Sequence, residues 1–132
     1  MAKIVLGKRP ETITAFVDIQ MITGEKAKVK VEFKYRTRKE YAKFLDDTIG
    51  AEIKAGAVPE GEKVTYELLA SKGIEDNAAR ALEFIKGWNL EGVELNEKGL
   101  EQLFNEEPAS GAALWGAYRA ACTEGYLGNS GE

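Results

Sequence analysis

Histidine is absent from this 132-residue chain, and cysteine occurs once. Without histidine the commonest general base near neutral pH and the commonest metal ligand are missing. Ser/His/Asp and Cys/His catalysis is therefore excluded, and so are zinc sites of the Cys/His kind. A lone Cys122 cannot close an intramolecular disulfide, which points to a reducing compartment, the cytoplasm. Long apolar runs are lacking too. Nothing approaches the roughly 18 residues a spanning helix requires, and Ile4-Val5-Leu6 is far too short for a secretory core, so no membrane is expected as partner. Among 14 glycines neither G-x-G-x-x-G nor G-x-x-x-x-G-K-[ST] occurs. The acidic residues show no EF-hand spacing. The neighbours Asp46-Asp47 and Glu106-Glu107 point apart if helical and read as solvated charge. The chain is thus expected to be no enzyme, with no catalytic residue, no cofactor and no metal.

What is present is an ordinary globular composition, 44% hydrophobic and 30% charged, long enough to bury one core. The net charge of −4 is unevenly spread: residues 1–58 hold 12 Lys and Arg against 8 Asp and Glu, residues 59–132 hold 6 against 14. The first part is basic and the second strongly acidic, an arrangement that either marks a charged partner surface or balances the two fields against each other. Nucleic acid is not expected as partner, because the chain is acidic overall and its aromatics do not interleave with the basic residues.

Residues 13–35 carry the clearest pattern. Ala27, Val29, Val31, Phe33 and Tyr35 alternate with Lys28, Lys30, Glu32 and Lys34. Upstream, Ile13, Ala15, Val17, Ile19 and Met21 alternate with Thr14, Phe16, Asp18 and Gln20. Period two with Thr23-Gly24-Glu25 between the runs predicts an antiparallel hairpin with one buried face. Residues 3–6 are a candidate third strand. Thr37-Arg38-Lys39-Glu40 has the form of a capping box, opening a helix with Tyr41, Phe44, Leu45, Thr48, Ile49 and Ile53 on one stripe. Gly56 and Pro59-Glu60-Gly61 end it. Residues 62–72 fit strand or helix, with helix preferred. Asp76 or Asn77 is placed to cap a short helix bearing Ala78, Ala81, Leu82, Ile85 and Trp88, which Gly87 stops. Asn96 caps the next, with Leu100, Leu103 and Phe104 inward. A last helix, residues 110–124, turns Leu114, Trp115, Tyr118 and Cys122 inward, with both tryptophans buried. The whole predicts one α+β domain: an N-terminal antiparallel hairpin of two or three strands in residues 1–36, a mainly helical part in 37–126, and a fraying tail in 127–132.

Two features stand out as contact candidates. Phe16 and Ile22 are apolar exceptions on the polar side of the first strand. Arg36 and Arg38 stand at the strand-to-helix corner, where they suit an anionic partner or simply a solvated corner.

Residues across nearly the whole chain resemble a family of bacteriophage and prophage tail assembly chaperones. Leu6-Gly7-Lys8-Arg9-Pro10-Glu11-Thr12 is similar to the family's opening, and Phe33-Lys34-Tyr35-Arg36-Thr37-Arg38-Lys39-Glu40-Tyr41 to its strand-to-helix corner. Lys86-Gly87-Trp88-Asn89-Leu90, then Leu95-Asn96-Glu97-Lys98-Gly99-Leu100-Glu101-Gln102-Leu103-Phe104, then Glu107-Pro108 and Gly128-Asn129 follow in the family's order. Tyr41 departs from an expected Phe, and Ala109-Ser110-Gly111 from an expected Gly-Ala pair. The resemblance implies a protein of the host-cell cytoplasm that binds the tape measure protein and keeps it soluble until the tail tube polymerises around it. The tail tube protein is a second candidate partner. The other reading it leaves open is a structural tail or head-completion subunit retained in the virion.

Overall fold

Strict alternation of apolar and polar residues gives two nine-residue strands, β1 (Thr12–Gln20) and β2 (Lys26–Lys34), paired antiparallel from Thr12 opposite Lys34 to Gln20 opposite Lys26. These and all further coordinates come from a computed structural model, which describes residues 2–50 and 65–128. Between the strands Gly24 takes φ +96° and its N–H donates to the Met21 carbonyl, the tight reversal expected. Ala15, Val17 and Ile19 of β1 and Val29, Val31 and Phe33 of β2 are almost wholly buried on one face of the sheet.

Thr37 caps α1 (Arg38–Leu45) through a complete capping box: its hydroxyl accepts the Glu40 N–H, and the Glu40 carboxylate accepts the Thr37 N–H. That backbone bond holds the Glu40 carboxyl below its ordinary range. A π-helical turn, Asp46–Gly50, follows directly. The continuation of this stripe at Ile53, the Gly56 stop and the loop at Pro59 lie outside the described residues.

Thr65 caps α2 (Tyr66–Phe84), a single helix of 19 residues. The helix expected to start at Asp76 or Asn77 is therefore the second half of a longer one. Asn77 does not cap; its side-chain oxygen accepts a bond from Arg80 one turn on, and the Arg80 guanidinium lies over the Trp115 ring.

The sheet has a third strand, though not at residues 3–6, which remain exposed and unpaired in it. It is β3 (Ile85–Trp88), antiparallel to β2, with Trp88 opposite Val31, Ile85 opposite Phe33, and an irregularity at Glu32/Phe33. Asn89 extends it: its N–H donates to the Lys30 carbonyl and its side-chain oxygen accepts the Lys30 N–H. Both helices of the remaining chain follow the expected pattern. Asn96 caps α3 (Glu97–Glu106), and Pro108 precedes α4 (Ala109–Glu124). The architecture is one α+β domain, a three-stranded antiparallel sheet with four α-helices among the described residues.

The core is aromatic. The Tyr118 ring stacks on Phe84 at 4.7 Å between centroids and meets Phe33 edge-on at 5.2 Å, with Tyr41 and Phe44 also around it. Trp88 and Trp115 are mostly buried, as expected: Trp88 stands at the sheet's short edge strand, and Trp115 rims the cluster beside Phe84 and Tyr41. At the far end of Tyr118, the hydroxyl donates to the Lys34 carbonyl at 2.9 Å and accepts from the Arg36 guanidinium at 2.8 Å.

Tyr118→Phe is expected to lower unfolding stability by about 1–3 kcal/mol, because a carbonyl and a guanidinium lose their partner in a partly buried place. Burial holds the Tyr118 phenol well above its ordinary value of 10.0. The unfolded phenol ionises first, so its stability contribution is complete below pH 10 and falls as pH rises beyond it. Denaturant titrations from pH 8 to 12 should therefore show a shallower alkaline loss in Tyr118→Phe than in the parent.

Candidate interaction surfaces

Because α1 to α4 pack on the apolar side of the hairpin, its other side is left open by the described residues. Period two puts Lys26, Lys28, Lys30 and Lys34 there from β2, with Asp18 and Glu32 the only acids on the two long strands. Lys28 pairs with Asp18 at 3.4 Å. Phe16 is the one aromatic among the described residues of this face; it stands directly opposite Lys30 and is partly buried.

The four residues singled out from the sequence fall at three places along the hairpin. Phe16 is at mid-strand. Ile22 lies in the turn, 75% exposed, its N–H donating to the Glu107 carboxylate at 2.8 Å. Arg38 is exposed at the first turn of α1, at the opposite end. Arg36 differs from the rest. Its guanidinium lies 4.0 Å from the centre of the Phe44 ring and bonds the Tyr118 hydroxyl and the Glu83 carbonyl, so it is held against the core. A basic residue before a capping box gives no sign of this in sequence, since its ring partners are distant in the chain.

The edge of β1 carries a feature that was not anticipated. The Phe16 N–H donates to the Leu127 carbonyl at 2.7 Å, and Gly128, at φ +84°, lies so close that a Cβ there would run into the Phe16 carbonyl. Part of the tail expected to fray is thus held on the sheet; residues 129–132 lie outside the described ones.

A concavity of about 470 Å³ opens at the turn end of the hairpin. Its floor is apolar, with Ile19 and Met21 from the hairpin, Leu90 and Val93 from the loop after β3, and Leu103 from α3. Four glutamates line it, Glu91, Glu94, Glu106 and Glu107, against the single cation Lys98. The Glu107 bond to the turn fastens hairpin and helices together across its margin.

Cys122 is buried, and burial raises its thiol above the ordinary value, which keeps it protonated and poorly nucleophilic. Among the described residues no group of three or more carboxylates or thiols is placed to hold a metal ion, and no helix is long and apolar enough to cross a membrane.

An open, basic sheet face and an acid-rimmed apolar cleft on a small domain are features of a protein that works by contact. The family model for phage tail assembly chaperones matches residues 1–129 of 132, and the chain belongs to that family. Membership supports a chaperone role in tail assembly and implies interaction with tail proteins. No curated protein and no solved structure matches the chain.

Gly128→Ala is expected to release the tail from β1, since an L-residue at this positive φ costs roughly 1–2 kcal/mol even before the clash. Amide exchange at Phe16 should quicken about tenfold, each 1.4 kcal/mol being a factor of ten. Exchange at Val31, on the central strand, should hardly change.

Proposed function

We propose that the protein binds the tape measure protein during tail assembly through the open face of its hairpin, with Phe16, Ile22 and Arg38 in contact and Arg36 shaping the corner. The observation that carries this reading is that no described residue covers the polar face of the hairpin, which is basic and has Phe16 midway along its outer strand. A long helical client with acidic and apolar positions suits such a face. Covering Phe16 and Ile22 fully contributes at most about 1.5–3 kcal/mol for each, less what Phe16 already buries. Lysines on either side steer an acidic segment toward them, while Arg38 offers forked donors to a carboxylate. The tyrosine bond of Arg36 keeps the strand-to-helix corner rigid, so that client contact does not have to order it.

Co-expression with the tape measure protein followed by pull-down tests the proposal. The parent should capture the client, and Phe16→Asp and Arg38→Glu, each checked for folding by circular dichroism, should each weaken capture by about tenfold, the effect of 1.4 kcal/mol. If both folded variants retain the client as well as the parent, the hairpin face is not the site. If the parent captures none and instead co-purifies with mature tails, the protein is a structural subunit of the particle.

A further inference from the structure

The charged residues on the polar face of the hairpin stand in an order that one kind of partner matches. Counted along β2 from the turn, the exposed positions are Lys26, Lys28, Lys30, Glu32 and Lys34. Three cations are followed by one acid and then a last cation. Opposite them β1 places Gln20, Asp18, Phe16, Thr14 and Thr12 in that order. On the other side β3 adds only Gly87, beside Glu32, and Asn89, bonded to Lys30. Nothing bulkier than Phe16 rises beside the row, so a rod can lie along it.

Spacing decides what form of chain fits. Alternate residues of a strand are about 6.6–6.8 Å apart. Residues four apart on an α-helix rise about 6.0 Å. The row i, i+4, i+8 of a helix laid along β2 therefore keeps pace with Lys26, Lys28 and Lys30. It falls behind by less than about 1 Å per step, which a lysine side chain absorbs. The same row turns by about 40° per step in a right-handed sense, as a strand does when it twists. An extended segment suits the face less well. Strands add at sheet edges, and the outer edge of β1 is interrupted at Phe16 by Leu127 and Gly128. Laid flat over the face, an extended segment leaves its own amides and carbonyls without protein partners, whereas a helix brings them already bonded.

We infer that this face selects an α-helix carrying carboxylates at i, i+4 and i+8, and holds it in one register. The inference rests on the hairpin face being the client site and specifies what the client presents there. Lys26, Lys28 and Lys30 meet the three carboxylates, with Lys28 shared between its client acid and Asp18, 3.4 Å away. Exposed ion pairs are individually weak, so the row acts together rather than through one bond. Glu32 sets the register: a helix slid one step toward Lys34 brings its third carboxylate against this acid. Phe16, directly opposite Lys30, receives an apolar side chain beside the third carboxylate. Positions i+5 and i+11 flank that carboxylate on either side, so leucine at both covers Phe16 whichever way the helix runs.

Labelled peptides of about 20 residues, long enough to be helical in water, test this by fluorescence anisotropy at low ionic strength. The first carries glutamates at i, i+4 and i+8 with leucines at i+5 and i+11. A second, of the same composition, has its glutamates moved to the opposite side of the helix. A third adds a glutamate at i+12, and a fourth alternates glutamate with threonine as a strand would. The first should bind at least about tenfold more tightly than the second and fourth, a difference of 1.4 kcal/mol. The glutamate at i+12 should weaken binding about threefold, the size of one exposed like-charge contact. With Glu32→Lys, an exposed position whose folding circular dichroism checks, that same glutamate should strengthen binding instead. Equal binding of the first and second peptides, or tighter binding of the fourth, overturns the inference. So does a Glu32→Lys protein that ranks the first and third peptides as the parent does. If the peptides bind alike while Phe16→Asp still weakens capture of the tape measure protein, this inference fails and the proposed function stands. Discrimination among the peptides by a parent that captures no tape measure protein upholds the selection of helices and overturns the proposed function alone.

Discussion

The carbonyl of Lys34 is where sheet, helices and corner are joined. β3 is only four residues long, so β2 outruns it, and a partly buried carbonyl beyond its end needs a donor. The Tyr118 hydroxyl supplies it, reaching from α4 through the aromatic core. In accepting from Arg36, the same hydroxyl draws in the guanidinium that covers Phe44 on α1. One phenol thereby fixes the last helix against the central strand and the first helix against both. The rings around it, Phe33, Phe84, Tyr41 and Phe44, come from β2, α2 and α1, so the core cannot rearrange in one element without disturbing the others.

That single-sided core decides which surfaces of the described structure are left exposed. The described helices lie on one side of the hairpin, and the lysines of β2 are exposed on the other. The acidic second half of the chain collects its glutamates around the loop after β3 and the end of α3. The uneven charge seen in the sequence is thus distributed over two separate surfaces, one basic and flat, the other acidic and concave. Each sets apolar groups beside charged ones.

Much of this was legible in the residues. Period two over residues 13–35 admits one arrangement of buried and open faces, and the capping residues Thr37 and Asn96 act through neighbours three positions away, which sequence displays directly. The third strand was hidden because Ile85 and Trp88 continue the helical stripe of Ala78, Ala81 and Leu82, and four residues are too few to show a period of their own. What settled it was the unpaired second edge of β2, a demand arising from elsewhere in the chain. The unbroken α2 was hidden for a related reason: Asn77 has the chemistry of a cap, but Arg80 on the next turn uses its oxygen. Among the contact candidates, Phe16 and Ile22 were visible as breaks in a pattern, while the inward role of Arg36 depends on rings up to 82 residues away. The cleft was invisible because its floor is assembled from three separate stretches.

The short crossing of Leu127 and Gly128 over β1 limits how the sheet can grow. β1 is an outer strand nine residues long, and its outward amides and carbonyls would otherwise form a continuous template for a strand of another molecule. With its middle amide already bonded and a glycine lying against the neighbouring carbonyl, no incoming strand finds more than a few consecutive partners. The tail acts as a stop to sheet extension, so the outer strand offers no long template for pairing between molecules.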